Sequence, residues 1–222
     1  MKKDYLFFDL DGTLTESAPG IIRSARYALS HFGITPDDAV MMKFIGPPLL
    51  ESFQRLCGLS EEQSREAIRL YREYFAEKGM FENSVYDGVR EMLARLRAEG
   101  KILAVATSKP EIYAKQILDH FGLSEYFDFI AGAALDHVRM TKADVLQKAV
   151  AAVGLKDLDR GLMIGDRMHD AEGANTVGMQ TLGVLYGYGS REELMEAGAA
   201  DTVSTPWDVT AWILEEKTAN RP

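Results

Sequence analysis

Cysteine is nearly absent from this 222-residue chain, with Cys57 its single representative. That excludes a disulfide framework and a cysteine-based zinc site, and it fits a reducing compartment. Cys57 precedes Gly58 at the end of a helical pattern, which predicts a packing role. No apolar run approaches membrane-spanning length. The opening MKKDYLFFDLD is basic and then apolar, as a signal peptide begins, but Asp9 breaks the apolar run. The expectation is a cytoplasmic protein with no membrane attachment.

Positive charge is also in short supply. The 25 Lys and Arg residues stand against 34 Asp and Glu, a net charge of −9. Such a surface repels phosphate backbones and anionic bilayers, so nucleic-acid polymers are poor candidate partners. A small anionic substrate stays open, because a bound cation or one local Lys can reverse the sign inside a cleft. The G-x-x-x-x-G-K-[ST] phosphate cradle is missing, as is any histidine cluster with zinc spacing. Internal repeats and low-complexity linkers are absent too. What remains is ordinary for a globular protein, 46% hydrophobic and 27% charged, and long enough for one domain or a core carrying an insert.

Short apolar runs bounded by turn residues recur at 5–8, 102–106, 129–131, 162–164 and 181–185, with a weaker one at 201–203. Between the later runs lie helical patterns at 89–99, 110–121, 141–153, 168–177 and 206–216. Start signals support them, such as Thr141 with Asp144 and Ser190 with Glu193. This alternation predicts an α/β fold, a parallel sheet with helices on both faces. Residues 18–81 break the pattern with four helices, at 18–32, 36–44, 48–56 and 60–78. Capping signals fall at Thr35-Pro36 and at Ser60 with Gln63. The expected organisation is a core of residues 1–17 and 82–222 with an all-helical insert at 18–81. The last six residues, KTANRP, are expected to fray.

In such a sheet, ligands bind beyond the carboxyl ends of the strands. The first strand is followed by Asp9, Asp11, Gly12 and Thr13; the second by Thr107 and Ser108 of ATSK; the fourth by Asp166 and Asp170 of GDRMHD. Lys142 opens a helix after the third. Asp9 and Asp11 are two apart, on one side of an extended backbone, and Asp166 and Asp170 are four apart, on one face of a helical turn. Neighbouring carboxylates share a proton or a cation. Four convergent oxygen ligands suit a hard cation, and Mg²⁺ keeps waters and a substrate phosphate beside a few carboxylates. Thr107, Ser108 and Lys142 supply donors for a phosphoryl group, while Gly12 provides a tight turn and an amide. The chemistry implied is attack on a phosphate monoester.

The motifs DLDGTLTES, ATSK, Lys142 and GDRMHD, in this order with a helical insert after the first, resemble the four motifs of the haloacid dehalogenase-like hydrolase superfamily. The resemblance spans nearly the whole chain and implies a Rossmann-like core with a helical cap domain. It implies Asp9 as nucleophile, forming an aspartyl-phosphate. Asp11 would be general acid and then base, its carbonyl also binding Mg²⁺. Thr107 and Lys142 would hold the phosphoryl group, and Asp166 with Asp170 would complete the metal site. Dehalogenases of the superfamily lack an acid at the position of Asp11, so its presence favours phosphoryl transfer. The stretches KFIGPPL, LDHVRMTKADVL and GDRMHDAEGANTVGMQTLGVLYGYGSREEL look like a 5′-nucleotidase-type subgroup near the phosphoglycolate phosphatases.

The expected partner is therefore a small phosphate ester, a nucleoside 5′-monophosphate or phosphoglycolate, with no motif specifying an oligomeric state. Alternatives are a sugar phosphomutase of the β-phosphoglucomutase kind and a non-catalytic binding module. Phe44 and Gly46, in KFIGPPL, are candidate substrate contacts, although a helix break and cap core explain them equally. Phe53, Tyr71, Tyr74 and Phe75 read as cap core. Ser108 has the alternative of capping the next helix. Arg167 and His169 lie inside the fourth motif without an assigned role, and His31, His120 and His137 read as structural or surface residues.

Overall fold

The computed structural model describes residues 2–135 and 140–215. His137, the DHVR part of the third motif's flank, the end of the 206–216 helical pattern and the KTANRP tail lie outside the described residues. Within them the chain divides into two compact units. One comprises the residues up to Thr15 and from Val85 onward, and the other is Glu16–Ser84.

The chain opens with β1 (Tyr5–Phe8), then the two-residue β2 (Thr15–Glu16). The helical unit follows with α1 (Ala18–Ser30), α2 (Asp38–Met42), α3 (Leu49–Cys57) and α4 (Glu61–Glu77), and the chain leaves it through β3 (Ser84–Val85). Then come α5 (Val89–Ala98), β4 (Ile102–Pro110), α6 (Glu111–His120), β5 (Phe129–Ala133) and α7 (Lys142–Ala152). The remainder is β6 (Gly161–Gly165), α8 (Met168–Val177), β7 (Gln180–Val184), α9 (Arg191–Glu196), β8 (Asp201–Val203) and α10 (Pro206–Ile213).

The larger sheet has the order β5-β4-β1-β6-β7-β8 and is parallel throughout. Strand β1 is central because it is apolar on both faces. Phe7 packs with Ala104, Ala106 and Met163 against Val145, Leu146 and Ala149 of α7 and Ala174 of α8. Leu6 and Phe8 point the other way and are fully buried, as are Leu103, Val105, Leu162 and Ile164. Each large side chain so buried stabilises the fold by roughly 1.5–3 kcal/mol. Helices α5 and α10 pack on each other within this unit. From β1 the chain goes first to β4 and β5 on one side, then to β6, β7 and β8 on the other. The crevice beyond the end of β1 is thus the switch point where a ligand is expected.

Strand β4 runs to Pro110, farther than its apolar run ends, with a register shift between Thr107 and Pro110. Such an irregularity re-aims side chains, here those of the ATSK segment. Strands β2 and β3 were not expected, since two residues carry no periodicity.

In the helical unit, α1 packs on α2 and α4, and α3 packs on α4. Its core includes Phe44 against Phe53 with ring centroids 5.1 Å apart, and Tyr71 stacked on Phe75 at 5.5 Å. Tyr74 is held at its hydroxyl by Glu82. Ser60 and Gln63 form the expected reciprocal cap of α4. The start of α2 departs from expectation: Asp37, not Thr35-Pro36, caps it by accepting from the Val40 amide at 2.8 Å. A carboxylate is the stronger acceptor and satisfies an amide left over at the helix start. Gly58 ends α3 at φ +69, leaving Cys57 half-buried.

Candidate functional site

Asp9 follows β1 directly, its amide bonded to the Ile164 carbonyl of β6 at 2.9 Å. Its side chain is therefore pinned at the switch point, and Asp9 as a whole is only 9% exposed. Lys142, the first residue of α7, is placed by the Thr141–Asp144 cap. Its Nζ lies 2.7 Å from Asp9 Oδ1 and 2.6 Å from Asp170 Oδ1. Asp170 is buried in the first turn of α8, where its other oxygen accepts from the Arg167 amide at 3.1 Å.

Asp166 is fully buried after β6. Its Oδ2 accepts from the Tyr188 amide at 2.8 Å and its Oδ1 from the Thr13 hydroxyl at 3.4 Å. Glycine makes the space around it. Gly12 has φ +86, and a Cβ there would stand 2.1 Å from Asp166 Oδ2. A Cβ on Gly187 would stand 2.2 Å from the Gly12 carbonyl oxygen and 2.4 Å from Asp166 Cβ. No side chain fits at either position.

Asp9, Asp166 and Asp170 each offer an oxygen within 4.8 Å of the others. Three carboxylates against one ammonium leave two surplus negative charges in a buried place. Burial first, then Asp170 and Asp9, pushes the Asp166 carboxyl well above its usual range. Burial also raises Asp170, with Lys142 opposing it. For Lys142, burial acts against the charge, but Asp170 and Asp9 outweigh it and hold the ammonium protonated. This donor set of hard oxygens, short of positive charge, fits a divalent cation.

Asp11 does not join that group. Its Oδ2 pairs with Lys109 Nζ at 2.7 Å, and its Oδ1 is buried without a hydrogen bond. Among the described residues the carboxylates that converge are thus three, and the fourth pairs with a second lysine. Thr107 is buried, and its hydroxyl accepts from the Lys109 amide at 3.2 Å. Ser108 is exposed and does not cap α6, whose cap position is Pro110.

Arg167 turns to Glu193, Nε to Oε1 2.7 Å, and the same oxygen accepts from the Met168 amide at 2.9 Å. His169 is partly exposed, 3.7 Å from Glu172. His31 contacts the Tyr27 carbonyl and His120 lies edge-on to Phe121. Phe44 is buried against Phe53, so its ring belongs to the core of the helical unit; Gly46 is exposed at φ +103.

Lys109, Tyr186 and Tyr188 were missed in the sequence. Tyr186 donates from its hydroxyl to the Thr13 carbonyl at 3.1 Å, and burial followed by Asp166 and Tyr86 keeps that hydroxyl protonated. A signal existed for all three: Lys109 closes ATSK, past the apolar run at 102–106, and both tyrosines follow the apolar run at 181–185 in YGYGS, so each sits past the end of an apolar run.

The family model described as haloacid dehalogenase-like hydrolase matches residues 6–184. A 5′-nucleotidase of Pseudomonas aeruginosa is 45% identical over 190 residues, 85% of this chain and 86% of the relative. Tyrosine-protein kinase PtkA of Mycobacterium tuberculosis is 46% identical over 186 residues, 83% of this chain; the aligned part is 62% of that longer protein. The crystal structure of a predicted phosphatase from Clostridium acetobutylicum matches with TM-score 0.91 at 46% identity, covering 97% of this chain and all of that one. The match to the family model, over most of the chain, and these relatives establish that the chain belongs to the haloacid dehalogenase-like hydrolase family.

Proposed function

We propose that the protein is a Mg²⁺-dependent phosphomonoesterase working through an aspartyl-phosphate on Asp9. The observation that carries this reading is the meeting of Asp9 with Lys142, Asp166 and Asp170 at the switch point of the sheet. Asp9, Asp166, Asp170 and the Asp11 carbonyl would hold the Mg²⁺. When bound, the ion offsets phosphoryl charge, so that an anionic nucleophile can approach phosphorus.

The residues divide the work. The Asp9 carboxylate forms a bond to phosphorus as the ester oxygen leaves, and that oxygen takes a proton from Asp11. Water then attacks the acyl phosphate, gives its proton to Asp11, and phosphate leaves Asp9. Lys142, Thr107, Ser108 and the Gly12 amide hold the non-bridging oxygens. The helical unit is read as a cap domain with Gly46 as its candidate substrate contact, and a cytoplasmic setting completes the reading.

The substrate class favoured is nucleoside 5′-monophosphates, supported by the 45% identity to a 5′-nucleotidase, with phosphoglycolate second. The test is phosphate release from nucleoside 5′-monophosphates, phosphoglycolate, sugar phosphates and pyrophosphate, with and without chelator. Metal-dependent release led by nucleotides supports the reading in full. Release led by another ester discards the nucleotidase part, and absence of release from every compound overturns it. A mutase would instead convert a hexose 1-phosphate to its isomer. A binding module is disfavoured because Asp9, Asp11 and Asp166 are all present.

A further inference from the structure

Asp11 stands beside three acids and yet apart from them. Its backbone is close to their cluster: the next residue is Gly12, whose missing Cβ would lie 2.1 Å from Asp166 Oδ2. Proximity alone would let a fourth carboxylate turn toward a cation held there. The carboxylate instead meets Lys109, whose side chain is 6% exposed and whose Nζ is 2.7 Å from Asp11 Oδ2.

Lys109 is itself fixed from behind. It lies in the register shift of β4 between Thr107 and Pro110, and its amide donates to the Thr107 hydroxyl. The other Asp11 oxygen is buried with no hydrogen bond from the protein, so nothing among the described residues but the lysine neutralises this carboxylate. Asp11 is thus paired with Lys109, while Asp9, Asp166 and Asp170 with Lys142 carry two surplus charges that match a divalent ion.

We propose that Lys109 is a positioning residue that holds the Asp11 carboxylate out of the Asp9, Asp166 and Asp170 cluster, so that the cation is held by three side-chain carboxylates and not four. Asp11 is thereby kept beside the leaving-group oxygen, to which it gives a proton in its carboxylic-acid form and from which it returns to the ion pair with Lys109. A fourth carboxylate on the ion would bind it more tightly and remove the acid from the reaction. Lys109 thus acts through Asp11, and its loss strengthens metal binding while weakening turnover.

This inference rests on the cation site proposed above, and one experiment separates the two. Mn²⁺ binding to the full chain is titrated by electron paramagnetic resonance for wild type, Lys109→Met, Asp11→Asn and the double variant. Lys109→Met is expected to tighten Mn²⁺ binding about 5-fold or more, and Asp11→Asn to cancel that gain, as coupled neighbours do. Turnover of Lys109→Met falls about 10-fold or more, and Lys109→Arg restores both readouts. Equal tightening with and without the Asp11 carboxylate overturns the inference, since the ammonium would then act on the ion directly. Unchanged or weaker Mn²⁺ binding in Lys109→Met also overturns it. Should that variant fail to fold, Lys109→Gln is measured in its place with the same expectations. Wild type that binds no Mn²⁺ refutes the cation site itself.

Discussion

The two units use the same ionic residues in opposite ways. In the helical unit, several charges lie on the surface in pairs one helical turn apart: Arg65 with Glu61, Arg55 with Glu51, and Arg69 with both Glu66 and Glu73. In the α/β unit, Asp9, Asp166, Asp170 and Lys142 are drawn from four separate strand ends and helix starts into one buried group. Exposed pairs gain little, because water already solvates both partners. Buried charge is costly to assemble, so a group of this kind marks chemistry, and the surface pairs mark solubility.

The contrast breaks most sharply at Asp9. Asp9→Asn is expected to lower phosphate release by about a thousandfold or more with the fold retained, measured by steady-state kinetics beside circular dichroism. Second comes Lys142→Met, which strands two buried carboxylates. It should cost about 3–5 kcal/mol in denaturant unfolding and lower turnover together. If the variant is as stable as wild type, the buried group is not held by this lysine.

Glu111 lies between the two extremes and sharpens the comparison through pH. Burial alone would raise its carboxyl, but Lys115, Lys148 and the Gly132 amide outweigh that and bring it down to about 2. Because the folded value lies below the ordinary 4.5, the stabilisation is present above about pH 4.5. It is lost as pH falls toward 2. Glu111→Gln should therefore destabilise the protein by about 1 kcal/mol at pH 7 and by progressively less below pH 4.5, as urea unfolding at several pH values would show. The smallest effect is expected for Arg69→Ala on α4. It should leave the thermal midpoint unmoved despite removing two ion pairs.

Much of this could be read from the chain. Strand β1 and helix α8 fall where the apolar run and the helical pattern place them, β1 because burial on both sheet faces leaves a continuous signal in residues 5–8. The cluster of Asp9, Asp166, Asp170 and Lys142 was legible because each residue directly follows a strand or lies in the first turn of a helix beside a parallel sheet. The partition of Asp11 was not. Two residues of the same type, two positions apart, share a side of an extended backbone, but Gly12 at φ +86 and the re-aimed end of β4 send Asp11 to Lys109. The cap at Asp37 was obscured by a competing Thr35-Pro36 signal two residues earlier, and the buried ring of Phe44 depends on Phe53, which no local pattern reveals.

The central claim is that Asp9 carries the phosphoryl group. The most direct measurement is acid-quenched single turnover on the best ester of the panel, followed by peptide mass spectrometry. The expected result is a phosphoryl group, formed and lost at the rate of turnover, on the peptide containing Asp9. Turnover without any phosphoenzyme, or a phosphoryl group on a different residue, would contradict it.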